Sequence, residues 1–370
     1  MNERSDENVE KAVLSPEREE EREKKKSRGK KIFGYVLFIV VSAAVILGMV
    51  LFEDRSGDMA DWVLVWSRIE KNPGWTVAAF ACFFLIVVSD ALVFYGLSKR
   101  IGSKRTHSVC LKTALFGRYF DRITPWSTGG EPFQIVYLTK TGMSTADAGA
   151  VSVSRHIIRF FATAIVVICI LAFSHLAANI YVMIAAIAGL AIGLVVPIFM
   201  LICAFRPRVG RKISDFLIRL LYKMKIVKDR EKAEEKVGKK VENFLSGVQF
   251  LSKHKGMILL IAFGAMVELF ATQSVPFFVM KSLGVEGVTY WHTLVLCLYV
   301  NYAAGFAPTP GGSGLAEVSF YAIFDAFVTG GMLFWSVLIW RIAVFYVPVF
   351  IGFILQLVTS VRQIVRVRRS

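Results

Sequence analysis

Apolar residues in this sequence are concentrated in uninterrupted runs of about 20 residues, the length that an α-helix needs to cross the hydrocarbon core of a bilayer. Apolar residues make up 55% of the chain and charged residues 19%, whereas soluble domains contain about 45–50% and about 25%. Strands of a transmembrane barrel would instead alternate polar and apolar residues over about 10 positions. The pattern predicts an all-α polytopic membrane protein and excludes a soluble enzyme, a disordered chain and a disulfide-rich secreted module.

Six apolar segments are predicted to cross the membrane as continuous helices. They are residues 32–52, 75–97, 144–173, 180–205, 257–283 and 331–360. The third begins at Ser144, which Asp147 follows three residues later, a spacing typical of a helix N-terminal capping box. Residues 32–360 are therefore predicted to form one transmembrane domain.

The distribution of charge predicts the orientation of the chain. Residues 98–112 carry five basic side chains, residues 206–255 carry 15 basic and 6 acidic ones, and the tail 361–370 carries four arginines. The polar tail 1–31 contains ten basic residues, whereas the segment 53–74 has a net charge of −2. Because basic loops stay cytoplasmic, both termini are predicted to be cytoplasmic.

The segment 206–255 has apolar residues at helical spacing among lysines and arginines. This pattern favours an amphipathic helix on the inner leaflet, bound to anionic lipids. It does not favour a nucleic-acid site, because no basic patch belongs to a folded soluble domain. The five cysteines and five histidines lack metal-ligand spacing, so neither a metal nor a cofactor is predicted.

Two further segments are apolar yet broken by proline, glycine and charged residues. Residues 108–142 contain Thr124-Pro125 and Gly129-Gly130, and residues 292–328 contain Thr309-Pro310 and Gly311-Gly312. Broken backbone at membrane depth is tolerated only inside protein or beside water. We predict two re-entrant helical hairpins, one from each side of the membrane. If both segments crossed completely, the chain would have eight spans with the same orientation.

The two broken segments share a motif, which is a Thr-Pro pair, a glycine pair and then a glutamate. Glu131 lies 24 residues before Arg155, and Glu317 lies 24 residues before Arg341. Entry from opposite sides would make the two segments an inverted repeat, an architecture found in many transporters. The whole repeated pattern is more specific than any of its members.

These residues predict a polar cavity that binds a phosphate head group. Half-helix N-termini carry partial positive charge, and Arg155, Arg159 and Arg341 would add full charges. Glu131 and Glu317 would balance the arginines or contact a cationic part of the head group. Two alternatives stay open, namely Glu–Arg locks between helices and glycine pairs that serve close packing alone.

Asp90 and Glu268 lie inside predicted spans. A charge at bilayer depth costs about 2.5–3.5 kcal/mol on insertion scales, so each residue needs a partner or a function. They are candidates for proton coupling, and the alternative is a helix–helix hydrogen bond.

The run 123–138, with sequence ITPWSTGGEPFQIVYL, and the run 307–317, with sequence APTPGGSGLAE, resemble the transmembrane module of the lysylphosphatidylglycerol synthase/flippase family, also called the MprF or multiple peptide resistance factor type. The resemblance covers about residues 32–360. The positions that match the family motifs are Gly130, Glu131, Pro132, Pro310, Gly311, Gly312, Gly314 and Glu317, followed by Arg155 and Arg341. Many relatives have a basic residue shortly after Gly-Glu-Pro, where this chain has Phe133-Gln134.

The resemblance implies a lipid flippase of the bacterial cytoplasmic membrane that moves an aminoacylated or anionic phospholipid between leaflets, a function linked to antibiotic resistance. Full-length members also carry a soluble transferase domain that uses lysyl-tRNA, for which no stretch of this sequence leaves room. One alternative is an enzyme, a phosphatidylglycerol lysyltransferase or an intramembrane transferase with Glu131 or Glu317 as general base. Another is a membrane anchor for a separate lipid synthase. A homodimer also stays open.

Overall fold

The structure is a computed structural model that describes residues 60–173 except 104 and 126, residues 254–367 except 308, 329 and 330, parts of 180–198, and positions 47, 219, 234 and 235. The predictions for the tail 1–31, the span 32–52, most of 180–205 and nearly all of 206–255 lie outside the described residues. The elements from Trp62 onward belong to one unit, Val50–Ser370.

All regular secondary structure in the described residues is helical. The helices are α1 Trp62–Lys71, α2 Pro73–Arg100, α3 His107–Ile123, α4 Gly130–Lys140, α5 Thr145–Phe173, α6 Lys255–Ser282, α7 Tyr290–Phe306, α8 Leu315–Phe324, α9 Met332–Arg341 and α10 Val347–Val367. A π-helical turn, Ile342–Tyr346, joins α9 to α10. The described positions within 180–198 are also helical. The all-α prediction is therefore confirmed for these residues.

Four helical segments of the described residues are long and apolar enough to cross a membrane. They are Pro73–Arg100, Thr145–Ile170, Lys255–Ser282 and Met332–Thr359, and each matches a predicted span. The start of α5 also agrees with the sequence. The backbone N–H of Asp147 donates to Ser144 Oγ at 3.1 Å, and that hydroxyl donates to the Asp147 carboxylate at 2.7 Å.

The first broken segment folds as an antiparallel hairpin of α3 and α4. The rings of Phe120 and Phe133 stack with their centroids 3.8 Å apart near the tip, and those of Phe116 and Tyr137 lie 5.2 Å apart farther along. At the open end, Arg105 donates to the carbonyls of Thr141 and Gly142. The two short helices predicted for this segment are therefore present and pack antiparallel.

The second broken segment is also a hairpin, formed by α7 and α8. Near its tip Gly312 packs closely on Ala304 of α7. At its open end the His292 and Phe327 rings make an edge contact, with centroids 5.1 Å apart.

The helix after this hairpin is interrupted directly after Arg341, where the π-turn begins. Pro348 follows the turn and explains it, because proline lacks the N–H that would bond four residues back and its ring clashes with that carbonyl. π-Turns of this kind are frequent at functional sites. The turn places Arg341 at a local widening of the last helix.

Helix α1 lies within the segment 53–74, which the sequence analysis treated only as an acidic loop. Arg68 of this helix donates to the carbonyls of Leu283 at 3.0 Å and Gly284 at 3.3 Å. Trp335 Nε1 donates to the Ala60 carbonyl at 2.9 Å. The segment therefore ties together the end of α6 and the beginning of α9.

Candidate functional site

The tips of the two hairpins contact each other. Pro125 and Pro310, the prolines of the two Thr-Pro pairs, form an isolated antiparallel bridge. This contact brings together two motifs that lie 185 residues apart in the chain. The positions selected from the sequence for their likeness are therefore neighbours in space.

The second tip turns through glycines with positive φ. The φ angles are 58° at Gly311, 69° at Gly312 and 94° at Gly314, a region that side chains disfavour. Helix α8 begins directly after them, and Glu317 accepts a hydrogen bond from the Gly314 N–H at 2.7 Å. The glutamate of the motif thus satisfies one of the N–H groups that a helix start leaves unpaired.

The first tip is built differently from the second. Gly129 has an ordinary φ of −83°, and its N–H donates to Thr124 Oγ1 at 2.9 Å. The Gly130 N–H donates to Asp121 Oδ1 at 2.8 Å. A Cβ at Gly130 would lie 2.5 Å from the Gly117 carbonyl oxygen. In this hairpin the glycine pair allows close packing at the tip.

A cluster of five charged side chains lies beside the hairpins, between α2, α3, α5 and α6. Arg118 is 2.5 Å from Asp90 and 3.1 Å from Glu268. Arg155 is 3.3 Å from Asp90, and Arg159 is 3.0 Å from Glu268. We call these residues the charge cluster. Asp90 and Glu268, the coupling candidates, are both ion-paired in it.

The charge cluster contains unsatisfied donors. Three arginines share two carboxylates, and the Nε atoms of Arg118 and Arg155 are buried with no hydrogen-bond partner among the described residues. Arg155 is 5% exposed and lies over the Phe94 ring at 4.8 Å from its centroid. Buried donors of this kind are costly unless an acceptor reaches them.

Arg341 and Glu317 form a separate buried pair, with Arg341 Nε 2.6 Å from Glu317 Oε1. The two residues are 6% and 5% exposed. Arg341 also lies over the Trp340 ring, 4.8 Å from its centroid, and its Nη2 is buried without a partner among the described residues. The 24-residue spacing noted in the sequence therefore corresponds to a direct ion pair in the second half of the molecule.

The same spacing does not produce an ion pair in the first half. Glu131 contacts His156, the neighbour of Arg155 on α5, rather than Arg155 itself. Pro132 lies in the first turn of α4, where its missing N–H interrupts no helical bond. The likeness in sequence therefore extends to the backbone break and not to the partners of the glutamates.

A small, partly open pocket lies next to the charge cluster. Its polar lining consists of Arg118, Arg122 and Thr272, and its apolar lining comes from α2, α6, the π-turn and Pro348. None of these three polar residues, nor Asp121, belongs to the motifs that indicate a site in the sequence. Their signal was present in α3, where Arg118, Asp121 and Arg122 stand three and four residues apart in an otherwise apolar segment, a spacing that puts them on one face.

The described residues contain no group of three or more His, Cys, Asp or Glu side chains arranged to hold a metal ion. Cys82, Cys110 and Cys297 are buried free thiols.

Comparison with known proteins identifies the family. The chain is 27% identical over 307 residues to a UPF0104 membrane protein of Archaeoglobus fulgidus, in an alignment that covers 78% of this chain and 88% of that protein. The model of the lysylphosphatidylglycerol synthase transmembrane region matches residues 35–352. This match includes both hairpins and the charge cluster. The chain is a membrane protein that belongs to the lysylphosphatidylglycerol synthase transmembrane region family.

Proposed function

We propose that this protein moves a polar phospholipid, anionic or aminoacylated, between the two leaflets of the bacterial cytoplasmic membrane. The observation that carries the proposal is the contact between the Pro125 and Pro310 tips, beside buried arginines that retain unused donors. A phosphate group is the natural acceptor for such donors, since arginine binds phosphate with parallel, charge-assisted hydrogen bonds.

The hairpins are proposed to enter from opposite sides of the membrane. Arg105 joins the open end of the first hairpin to the loop after α2. The open end of the second hairpin lies near the other end of α2, because α1 leads into α2 and contacts the carbonyl of Leu283 after α6. The two open ends thus lie near opposite ends of α2, and the tips meet between them. Since basic loops stay cytoplasmic, the first open end is proposed to lie on the cytoplasmic side.

Translocation requires that ion pairs exchange partners with the head group. Arg155, Arg159 and Arg341 would each turn from a carboxylate to the lipid phosphate, while Glu131 or Glu317 would receive an amine of an aminoacylated head group. The exchange keeps every charge paired, which avoids the cost of an isolated charge at membrane depth. The acyl chains would remain in lipid throughout.

The proposal is tested by reconstitution into liposomes that carry leaflet-labelled phosphatidylglycerol or lysylphosphatidylglycerol. We expect the wild-type protein to move at least one of these lipids faster than empty vesicles do, and the Arg341→Gln variant to lose most of this activity. Lys112→Gln, which removes a cation from the outer part of α3, is the matched control and should remain active. Equal rates in empty and protein-containing vesicles for both lipids would refute the proposal.

A further inference from the structure

We infer that the pocket beside the charge cluster binds one phosphodiester group of a membrane lipid, and that Arg122 is the residue that receives it. The inference deepens the proposed function and rests on it only for the step from binding to transport. It assigns the phosphate to an arginine that the motifs did not select.

Arg122 differs from the other arginines of the site in forming no direct ion pair or hydrogen bond within the described part of the chain. Arg118, Arg155, Arg159 and Arg341 each form an ion pair with Asp90, Glu268 or Glu317. Arg122 forms neither an ion pair nor a hydrogen bond with any residue that the structure describes, although it lines the pocket. It is therefore the guanidinium that can bind a ligand without first breaking an ion pair.

The balance of charge around the pocket favours a single negative charge. Four arginines of α3 and α5 stand near three carboxylates, which are Asp90, Asp121 and Glu268. Asp121 already accepts the Gly130 N–H. One positive charge remains in excess, and burying it alone at membrane depth would cost about 2.5–3.5 kcal/mol or more. A phosphodiester, which carries one negative charge, removes this excess.

The lining of the pocket suits a lipid better than a free ion. Its walls are mostly apolar, formed by Phe83 and Ile86 of α2, Val275 of α6 and Val344 of the π-turn. Phe84, which follows Phe83 in the chain, and Phe350, two residues after Pro348, are 59% and 64% exposed, as expected for side chains that face lipid. A lipid bound here would place its phosphodiester against Arg118 and Arg122 and its glycerol backbone against the apolar walls.

The polar end of the pocket offers a suitable set of donors. The planar fork of Arg122 can bond two phosphate oxygens at once, and Arg118 carries a buried Nε without a partner. The Thr272 hydroxyl from α6 completes the polar lining. Because α3, α6 and the π-turn all contribute to the pocket, a bound phosphate would hold together the first hairpin and the widened last helix.

The test is binding of short-chain probes to the purified full-length protein in detergent, measured by thermal-shift titration. We expect dioctanoyl phosphatidylglycerol to stabilise the wild-type protein, dioctanoylglycerol to have no effect, and inorganic phosphate to bind at least about tenfold more weakly than the lipid. The Arg122→Gln variant should lose at least about tenfold in affinity for the lipid, since it removes a charge-assisted bond pair. Lys112→Gln should bind as the wild type does.

Each other result contradicts the inference. If dioctanoylglycerol bound the wild-type protein as tightly as dioctanoyl phosphatidylglycerol, the protein would not recognise the phosphate. This comparison needs no variant. Equal or tighter binding of inorganic phosphate would show an ion site rather than a lipid site. If Arg122→Gln does not fold, Arg122→Lys keeps the charge without the fork and should bind more weakly than wild type, and wild-type affinity would contradict the assignment.

The inference and the proposed function fail separately. Arg122-dependent lipid binding together with no movement of lipid in liposomes would retain the pocket and refute the flippase. If the Arg122→Gln variant binds lipid as tightly as the wild type and still moves lipid in liposomes, the flippase proposal would stand and the role of Arg122 would be refuted.

Discussion

The two hairpins share a sequence pattern but stabilise their breaks by different means. In the second hairpin, Glu317 caps the Gly314 N–H and pairs with Arg341, so one side chain serves the turn and the neighbouring span. In the first hairpin these tasks are divided. Asp121 and Thr124 satisfy the N–H groups of the glycine pair, and Glu131 contacts His156.

In this protein the two copies of the motif therefore share the backbone break but not the side-chain contacts around it. In the first half, the partner of Arg155 comes from α2, where Asp90 has no counterpart in the motif. Near the first hairpin the arginines outnumber the carboxylates, and the pocket lies on this side of the site. We therefore expect the second hairpin to be the more rigid half of the site and the first half to contribute most of the phosphate binding.

The largest expected effect concerns the two glutamates of the motif. Glu317→Gln leaves Arg341 buried without a counter-charge, and we expect a loss of about 3 kcal/mol in the free energy of unfolding. Glu131→Gln should cost under about 1 kcal/mol, because Glu131 is more exposed and its amide replacement keeps the contact with His156. Titration with sodium dodecyl sulfate in mixed micelles measures both free energies of unfolding. Equal losses would show that the two glutamates have the same structural role.

Double-mutant cycles measure directly how strongly each glutamate is coupled to the arginine 24 residues later. Glu317→Gln and Arg341→Gln should show a coupling energy of about 1.5–3 kcal/mol, as is typical of residues in direct contact within one network. Glu131→Gln and Arg155→Gln should add within about 0.5 kcal/mol. Strong coupling in the second pair would mean that Arg155 exchanges from Asp90 to Glu131.

Alanine substitution should affect stability differently at a glycine of the second tip and at a glycine within a helix. Gly314→Ala introduces a side chain at φ 94° with open space around its Cβ, so its cost is purely conformational, about 1–2 kcal/mol. Gly74→Ala also places its Cβ in open space but within α2, and it should be neutral or stabilising by up to about 1 kcal/mol. Apparent melting temperatures separate these outcomes, and a neutral Gly314→Ala would contradict the turn geometry.

The smallest expected effect is at the open end of the first hairpin. Arg105→Gln removes the donors to the carbonyls of Thr141 and Gly142 and should cost about 1 kcal/mol. Lys99→Gln, an exposed neighbour at the end of α2, is the control and should change stability by less than about 0.5 kcal/mol. Hydrogen exchange at residues 141–143 should rise in the first variant only, and unchanged exchange would show that Arg105 does not hold this end.

The sequence predicted the elements whose signals are local. The breaks at Thr124-Pro125 and Thr309-Pro310, the start of α5 at Ser144 and four continuous spans all follow from proline, glycine, capping residues and apolar length. Each agrees with the structure within a few residues. Helix α1 was missed because its ten residues lie in a charged segment too short to read as a span.

The partners within the site could not be predicted from local signals. Arg118 pairs with Asp90 and Glu268, which lie 28 and 150 residues away in the chain. Such choices depend on which helices pack together and on their rotation. The 24-residue spacing from Glu to Arg yields an ion pair in one half and none in the other, so spacing alone does not determine a contact. The π-turn after Arg341 has a local cause in Pro348, but its effect on the pocket is tertiary.

The most direct test of this account is whether the hairpin tips meet. In a variant whose five native cysteines are replaced by alanine, Pro125→Cys and Pro310→Cys should form a disulfide in membranes on mild oxidation, because bridge partners lie within disulfide reach. A control pair at the open ends, Thr141→Cys and Thr289→Cys, should remain reduced. Efficient cross-linking of the tips alone is the result predicted. Tips that do not cross-link while the open ends do would contradict the shared site on which the proposed function depends.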